Sequence, residues 1–480
     1  MRTLTPPPGC LSGLPENWAP LVDLAIATSG YNIVHASTPL QARGVDTSFS
    51  RRVSGINDTI IGSGVEVPAV IMKHALLAWL FCIAAAIGTL GARVPVSRPP
   101  RGFATTKGRS FVVDGKPFWL PLLTNQRDIE ATFREMRGAG IKVLRTWGFN
   151  AINTTELPFA HESGLTYYQV WDKDGWRLND GPQGLKRLDN VIQTAGKYGI
   201  KIILAFTNNW IGYGGSELYV NWIAGASATH DTQRSSVLAE KYVKTIVNRY
   251  KHSPNIFAWE LMNEARCRGD LQGGPNCVAG TDLISHWYKE QADFVRELDP
   301  HHLITTGGEG HFYKRDEDIG YWLNGQWISD YNYNGQAGED FDLDLTLDNI
   351  DFGTYHIYPQ FWYGSTLDKP DSENFTIEDW GLNWIQQHAD SAKQANKPVI
   401  LEEFGVFGLQ NKTEIYPKWV KRALDTGHSG ILPWQFGMLG LKEAGGQRYF
   451  KYEDRLIDGA SPNDGFTIYK NQTAVWSVFT

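Results

Sequence analysis

The sequence predicts an α/β protein built on a (β/α)8 TIM barrel, and three observations support this prediction. Short apolar, strand-like runs recur from about residue 95 to the carboxyl terminus. Amphipathic helical patterns separate most of these runs, which is the alternation typical of parallel α/β folds. The eight runs are spread over roughly 385 residues, a length that suits a barrel with long loops. A doubly wound sheet is the main competitor, but no G-x-G-x-x-G or Walker loop follows a strand.

The run 256–263 shows the strand pattern most clearly, because Ser253-Pro254 precede it and only Glu260 interrupts the apolar residues from Ile256 to Met262. The predicted strands lie at 118–123, 141–147, 200–207, 256–263, 302–307, 350–357, 398–403 and 430–436. The clearest predicted helices lie at 127–138, 184–198, 235–250, 281–298 and 378–396.

The segment 72–92 has the composition of a secretory signal peptide. Met72 is followed by a short basic head, an apolar run and small residues where cleavage would fall. We therefore expect translation to begin at Met72, and residues 1–71 to be a non-native or disordered extension. Residues 93–480 would then form the secreted, extracellular domain, without stable membrane association. The alternative is a signal anchor of about 18 residues, at the short end for spanning a bilayer.

Composition narrows the choice of partner. The net charge of −7 argues against a nucleic-acid partner. Aromatic residues make up 12% of the chain, which suits stacking on sugar rings but also suits a large core. We find no internal repeat and expect a monomer. Export agrees with the Asn-x-Thr sequons downstream of the signal-like segment, at Asn153, Asn374, Asn411 and Asn471.

The chain has four cysteines, none of them in a C-x-x-C pair, so zinc and redox motifs are unsupported. Cys267 and Cys277 flank a loop rich in Gly and Pro. In an oxidising compartment they would form a disulfide across that loop, and in a reducing one they would remain free thiols.

The polar residues at the carboxyl ends of the predicted strands point to a chemistry. Barrel geometry brings these positions to one rim, where barrel enzymes carry out catalysis. They are Arg145, Trp147, Asn208, Asn209, Trp210, Asn263, Glu264, Glu309, His356, Tyr358, Glu402, Glu403 and Trp434. Two carboxyl groups with aromatic platforms are what glycosidic bond cleavage requires. No metal-ligand spacing and no G-x-S-x-G elbow is present, so we expect no metal or cofactor.

Six motifs, in order, make residues 110–480 similar to the fungal endo-β-1,4-mannanases of glycoside hydrolase family 5. They are Leu-Arg-Thr-Trp-Gly-Phe-Asn (144–150), Thr-Asn-Asn-Trp (207–210), Trp-Glu-Leu-Met-Asn-Glu (259–264), Thr-Tyr-His-Ile-Tyr-Pro (354–359), Leu-Glu-Glu-Phe-Gly (401–405) and Pro-Trp-Gln-Phe (433–436). The resemblance implies a secreted, retaining enzyme that cleaves β-mannan, galactomannan and glucomannan.

The resemblance also implies a role for each rim residue. Glu264 would be the general acid/base and Glu403 the nucleophile, since the family pattern places the nucleophile directly before an aromatic-Gly pair. The supporting residues would be Asn263 on the sugar 2-hydroxyl, Arg145 and Tyr358 holding Glu403 ionised, His356 orienting the acid/base, Trp434 below the sugar, Arg266 on the leaving-group side, and Trp210 as a stacking platform, with Asn208 and Trp147 beside them.

Several alternatives stay open at this stage. Glu402 is the rival nucleophile, but alternation along a strand predicts that only one of Glu402 and Glu403 enters the barrel mouth. Glu309 suits a rim contact or a loop-stabilising charge equally, and Trp147 suits barrel packing as well as ligand contact.

The sequence departs from the family pattern at two places. Ala265 replaces the usual Pro after the acid, and Lys116-Pro-Phe118 runs directly into Trp119-Leu-Pro121, which predicts a shortened first strand and lower stability. The rival functions are therefore another β-glycanase, such as an endoglucanase, and a non-catalytic or defective remnant.

Overall fold

The computed structural model describes residue 100 and residues 102–111, 116–119, 126–172, 175–211, 214–224, 236–364, 376–441 and 464–480. The predicted extension 1–71 and the signal-like segment 72–92 lie outside these residues. Within the described part of the chain, no helix has both the length and the apolar character needed to cross a membrane.

The central element is a ring of eight parallel strands. They are β1 Lys116–Trp119, β2 Ile141–Trp147, β3 Lys201–Ala205, β4 Ile256–Glu260, β5 Leu303–Thr305, β6 Gly353–Ile357, β7 Val399–Phe404 and β8 Gly430–Ile431. Strands β1 to β5 pair in chain order, as do β6 to β8. A parallel bridge between Thr305 and Phe352 joins the two groups, and β8 lies next to β1. The predicted barrel is therefore confirmed.

Six long helices follow strands of the barrel. They are α1 Gln126–Gly138, α2 Leu185–Lys197, α3 Ser236–Tyr250, α4 Leu283–Leu298, α5 Ile377–Ala395 and α6 Leu409–Thr426. Short helices lie at Thr154–Glu156 (3-10), Leu157–Ser163, Ser216–Ala224, Phe341–Asp344, Pro359–Tyr363 and Thr473–Trp476. The five predicted helices correspond to α1 to α5 and are confirmed to within two residues at each end. Their apolar positions recur at helical spacing, which made them predictable.

Small sheets are formed by the segments outside the barrel strands. Thr106–Lys107 pairs with Ser110–Phe111, Gln169–Asp172 lies between Ala151–Asn153 and Gly175–Leu178, Gly320–Leu323 pairs with Gln326–Ser329, and Phe436–Gly437 pairs with Ile468–Tyr469. The first of these hairpins precedes β1 and closes the barrel from below. The ring of Phe111 packs edge-on against Phe257 and Phe352, at 5.0 Å between centroids in each case.

Two hydrophobic layers hold the barrel together. The inner layer is a cluster contributed by five strands and by the residues around the strands: Ala104, Val143, Ile203, Phe257, Ala258, Leu303, Phe352, Ile400 and Leu432. The outer and larger layer packs the helices onto the strands. Because both faces of the sheet are buried, the strands read as nearly continuous apolar runs.

Seven of the eight predicted strands differ from the observed ones in extent, and the first and the eighth differ most. The first is described only over Lys116–Trp119, and the rest of the predicted run, 120–123, lies outside the described residues. The eighth pairs only over Gly430–Ile431, because Pro433 offers no amide hydrogen to a ladder. Strand β1 nevertheless pairs with β2 along its whole length, from Lys116 to Trp119.

Replacing Gly381 by alanine should destabilise the fold. In α5, a Cβ at this position would lie 2.3–2.5 Å from ring atoms of Trp419 in α6. Such overpacking typically costs about 1–3 kcal/mol of unfolding free energy. The control is Gly138→Ala at the end of α1, where a Cβ meets no atom within 4 Å. Chemical denaturation should show a loss only for Gly381→Ala, and equal stability of the two variants would contradict the packing described here.

Candidate active site

The carboxyl ends of five strands meet around two acidic side chains, Glu264 and Glu403. Glu403 is part of β7, and Glu264 lies four residues after the end of β4. One carboxylate oxygen of each, together with a ring nitrogen of His356, lies within 4.8 Å of the others. Glu403 is almost fully buried, whereas Glu264 is partly exposed. The rim predicted from the sequence is therefore present.

The Glu403 carboxylate is held from both sides. Arg145 donates from Nη1 to Oε1, and the Tyr358 hydroxyl donates to Oε2 at 2.8 Å. Both partners are buried. Two donors on separate oxygens leave this carboxylate with one orientation, because any rotation would break a charge-assisted hydrogen bond.

The Glu264 carboxylate has different partners. His356 Nδ1 lies 2.8 Å from Oε1, and Trp210 Nε1 donates to Oε2 at 2.7 Å. The backbone of Glu264 has a φ of 52°, in the left-handed region that a residue with a Cβ rarely adopts. Strain of this kind persists where the surrounding structure fixes it, and it is concentrated at functional sites. The resemblance suggests Trp210 as a stacking platform, and the structure adds a direct bond from its indole to Glu264.

The cluster of Glu264, His356 and Glu403 also has the atom types of a metal site. The same oxygens, however, already accept N–H and O–H donors, and the guanidinium of Arg145 contacts one of them. A resident cation would have to displace these donors and lie beside a positive charge. The donor set therefore suits acid and base chemistry better than metal binding.

Arg145 is the hub beneath the two carboxylates. Its side chain is fully buried, and it donates to Glu260 at 2.7 Å from Nε and 2.6 Å from Nη2. Nη2 also donates to Asn263 Oδ1 at 2.8 Å, and Asn263 Nδ2 donates to Asn208 Oδ1 at 2.8 Å. Asn208 and Asn263 are themselves partners in a parallel bridge between strand ends. One cation thus fixes Glu403 and a pair of amides together.

The two adjacent glutamates of β7 do not point to opposite faces, so the expectation from strand alternation is wrong here. Tyr355 pairs with Leu401 and His356 with Glu403, which leaves Glu402 as the extra residue of a β-bulge. Glu402 Oε1 lies 3.4 Å from Arg145 Nε, and Glu402 is fully buried. The bulge therefore brings both carboxylates to the same guanidinium.

Burial and charge compete in setting the pKa values of the site. Burial opposes the positive charge of His356, but Glu403 and Glu264 outweigh it and raise the pKa of His356 well above its ordinary value. The pKa of Arg145 is likewise raised, because Glu260, Glu402 and Glu403 outweigh its burial. For Glu403 burial is the larger effect, and its pKa is raised despite His356 and Arg145. Arg145 lowers the pKa of Glu403, as expected for a cation beside a carboxylate, but burial outweighs it.

A second ion pair lies beside Glu264. Arg266 donates from Nε and Nη2 to the two oxygens of Glu309, with 2.6 Å for the Nη2 bond. The Arg266 guanidinium also lies 5.1 Å from the ring of Trp210 and 5.2 Å from that of Tyr331. Glu309 is buried, so it anchors Arg266 rather than standing free at the rim.

Two indoles lie on the opposite side of the site. Trp147 is buried with the Arg145 guanidinium 4.8 Å from its ring centroid, and its ring centroid lies 5.9 Å from that of Trp434. Trp434 is only half-buried, and its Nε1 donates to Asp464. Trp147 therefore supports the site through packing, while Trp434 presents surface to the mouth of the barrel.

The disulfide between Cys267 and Cys277 is present, which confirms the oxidised alternative. It closes the loop that follows Glu264 and Arg266. Within that loop, the backbone N–H groups of Asp270 and Leu271 donate to Glu217, and the Asp270 carboxylate accepts from the N–H of Ile211. The bridge thereby stabilises the segment that carries Trp210 and Arg266.

Glu260 and Asp464 belong to the site but were not among the site residues predicted from the sequence. Glu260 had a detectable signal, because a lone charge in an apolar strand must find a partner when buried. Asp464 had none, since it lies in an irregular segment 30 residues after the indole that it binds.

Comparison with known proteins identifies the family. The sequence profile described as "Cellulase (glycosyl hydrolase family 5)" matches residues 113–438. This chain belongs to glycoside hydrolase family 5. Mannan endo-1,4-beta-mannosidase F from Aspergillus clavatus is 37% identical over 379 residues, covering 76% of this chain and 75% of that protein. Mannan endo-1,4-beta-mannosidase A from Podospora anserina is 35% identical, covering 76% and 86%.

Solved structures of the family agree with the fold. The endo-1,4-beta-mannanase of Rhizomucor miehei superposes with a TM-score of 0.63 at 29% identity, covering 78% of this chain and 98% of that one. The endo-beta-1,4-mannanase of Thermotoga petrophila gives 0.61 at 28%, covering 78% and 76%. In this chain the family match includes every barrel strand, so Glu264 and Glu403 both lie within it.

Removing the central cation should destabilise the barrel far more than removing a surface one. Arg145→Met leaves Glu260, Glu402 and Glu403 buried without their main counter-charge, which we expect to cost about 3–5 kcal/mol of unfolding free energy at neutral pH. The control is Arg249→Met. Arg249 makes a similar bidentate ion pair with Asp189, but at the surface, where such pairs contribute about 0–1 kcal/mol of unfolding free energy. Similar losses in denaturant titrations would contradict the role of Arg145 as the buried hub.

Proposed function

We propose that the chain is a retaining endo-β-1,4-mannanase that hydrolyses mannan, galactomannan and glucomannan by double displacement. The observation that carries the proposal is the short separation of the two acidic groups, with one oxygen of Glu264 and one of Glu403 within 4.8 Å. Retaining enzymes hold their carboxyls about 5–5.5 Å apart, whereas inverting enzymes need about 6.5–9.5 Å for an intervening water. The mannan-degrading names of the relatives support the substrate class.

In the first step Glu403 is the nucleophile. Its oxygen attacks the anomeric carbon while Glu264, as the acid, gives its proton to the leaving glycosidic oxygen. The products of this step are a glycosyl ester on Glu403 and a free sugar chain. Arg145 and Tyr358 hold the attacking carboxylate in one orientation, which lowers the entropic part of the barrier.

In the second step the roles of Glu264 are reversed. Its carboxylate accepts a proton from water as the water oxygen attacks the anomeric carbon, and the ester bond to Glu403 breaks. This returns Glu403 to its ionised form, restores the proton on Glu264 and releases a sugar of retained configuration. His356 and Trp210, which contact the two oxygens of Glu264, keep it aimed at the bond in both steps.

The remaining rim residues suit a polymeric sugar. Asn263 directly precedes Glu264 and is oriented by Arg145, in a position to bind a sugar hydroxyl. Trp434 offers a half-exposed indole for stacking on one side. Arg266, fixed by Glu309, offers a cation on the Glu264 side, where the leaving chain would lie.

Glu264→Gln and Glu403→Gln should each abolish hydrolysis of locust-bean galactomannan. Glutamine keeps the shape of the side chain but can neither donate the proton nor form the ester, so we expect losses of at least about 10²–10⁴-fold. An aryl mannoside with a good leaving group should partly restore turnover in Glu264→Gln only, because its departure needs little protonation. Reducing-sugar release and aryl release are the measurements.

The matched control is Glu378→Gln, which removes a surface partner of Lys418 and should leave activity unchanged. Carboxymethyl cellulose serves as the competing substrate. Faster hydrolysis of the cellulose would favour an endoglucanase, and a well-folded parent that cleaves neither polymer would overturn the proposal.

The acid limb of the pH–activity profile should reflect the ionisation of Glu403. Burial raises the pKa of Glu403 above the ordinary value of 4.5. Because the nucleophile must be ionised, activity should fall as the pH is lowered, and the midpoint of this fall should lie above pH 4.5. In Tyr358→Phe the loss of the hydroxyl donor should move this limb to still higher pH, because that bond favours the ionised form. The profile of kcat/KM on a soluble mannan oligosaccharide measures both, and an acid limb at or below 4.5 in the parent would contradict the assignment.

We further propose that the enzyme is secreted as a monomer after cleavage of the signal-like segment 72–92, with residues 1–71 absent from the native protein. The Cys267–Cys277 disulfide supports export, since such bridges persist in oxidising compartments. Amino-terminal sequencing of the protein from culture medium tests this, and a mature chain that begins upstream of Met72 would overturn it.

A further inference from the structure

Glu402 is a buried acidic group that the proposed double displacement does not use. It is fully buried, and neither of its carboxylate oxygens makes a hydrogen bond. A carboxylate left in this state is costly, so a residue of this kind needs a reason to be where it is. Its two nearest cationic neighbours are Arg145, with Nε 3.4 Å from Oε1, and His356, with Nε2 3.7 Å from Oε2.

His356 also has a polar atom without a hydrogen-bond partner, on the side of its ring that faces away from Glu264. Nδ1 faces the catalytic carboxylates, at 2.8 Å from Glu264 Oε1 and 3.8 Å from Glu403 Oε2. Nε2 is buried and has no hydrogen-bond partner in the described structure. The carboxylate oxygen nearest to Nε2 is Oε2 of Glu402, at 3.7 Å. A donor and an acceptor that both lack a partner therefore face each other across a gap that a small side-chain shift would close.

We propose that Glu402 is a positioning residue that accepts the Nε2–H of His356 and thereby fixes the proton on that nitrogen. The proposal rests on the function proposed above. Which imidazole nitrogen carries a proton is set by the bond made at the other nitrogen. With Nε2 protonated and bound to Glu402, the ring cannot flip, and Nδ1 stays directed at Glu264 in both the neutral and the imidazolium form.

The backbone explains why Glu402 can reach this place. A regular strand would turn Glu402 away from Glu403, but the bulge opposite Tyr355 and His356 brings it beneath the imidazole. Arg145 does not need Glu402 as an acceptor, because its Nε already donates to Glu260 at 2.7 Å. Glu402 therefore completes the hydrogen bonding of His356. The negative charge of Glu402 also attracts Arg145, and the buried surroundings strengthen this attraction.

Two substitutions separate positioning from packing. Glu402→Gln keeps an oxygen that can accept from Nε2–H, whereas Glu402→Met keeps a similar volume without an oxygen. We expect Glu402→Gln to retain most of the turnover on a soluble mannan oligosaccharide. Glu402→Met should lose kcat by about 10–100-fold, the range for partners that orient a functional imidazole, with KM little changed. A purely structural Glu402 would give the same kcat in both variants.

Nuclear magnetic resonance of the ¹⁵N-histidine-labelled full chain provides a readout that does not depend on activity. The His356 signal is identified by its absence in His356→Asn. The parent and Glu402→Gln should show a proton on Nε2 that exchanges slowly, and Glu402→Met should show it lost or exchanging fast. A parent whose Nε2 carries no proton would overturn the proposal, even if Glu402→Met failed to fold. Inactivity on mannan with an intact Nε2–H signal would instead overturn only the proposed function.

Discussion

The buried guanidinium of Arg145 is the interaction on which the rest of the site depends. It donates to Glu260, Glu403 and Asn263, and Glu402 lies beside it. Without this cation, the interior of the barrel would hold several carboxylates without their main counter-charge, which would destabilise the fold. The group that makes the acidic interior stable is therefore also the group that orients the proposed nucleophile, so fold and chemistry share one residue.

The chemistry also depends on departures from regular backbone. An ideal parallel barrel would place alternate side chains inside and outside, and its strand ends would be extended. Here Glu264 has a positive φ and Glu402 occupies a bulge. Both irregularities lie within a well-packed framework of buried strands, which supplies the energy to maintain them. A barrel with perfect alternation would present one acidic side chain where this one presents two.

The regular part of this structure was predictable from sequence, and the irregular part was not. Strand and helix periodicity located the barrel, because burial on both faces leaves a strong apolar signal at runs such as 256–263. Rim residues followed from their place after each strand. Alternation failed at Glu402 because a bulge depends on pairing between two distant strands, which no local pattern records. Asp464 was missed as a site residue for the same reason, since it acts through a partner far away in the chain. The lone charge of Glu260 was visible in the sequence, but its partner Arg145 was not.

The two acidic groups are distinguished by their surroundings rather than by their type. Glu403 lies deep, with a cation and a phenol on separate oxygens, and its partners favour a fixed charge. Glu264 is more exposed, on a strained backbone, and its partners are an indole and an imidazole that can follow a change in its protonation. A nucleophile needs one orientation, and an acid/base needs access to the leaving oxygen and to water. The surroundings of each carboxylate thus support the proposed assignment of roles, and this argument does not depend on which substrate fits between them.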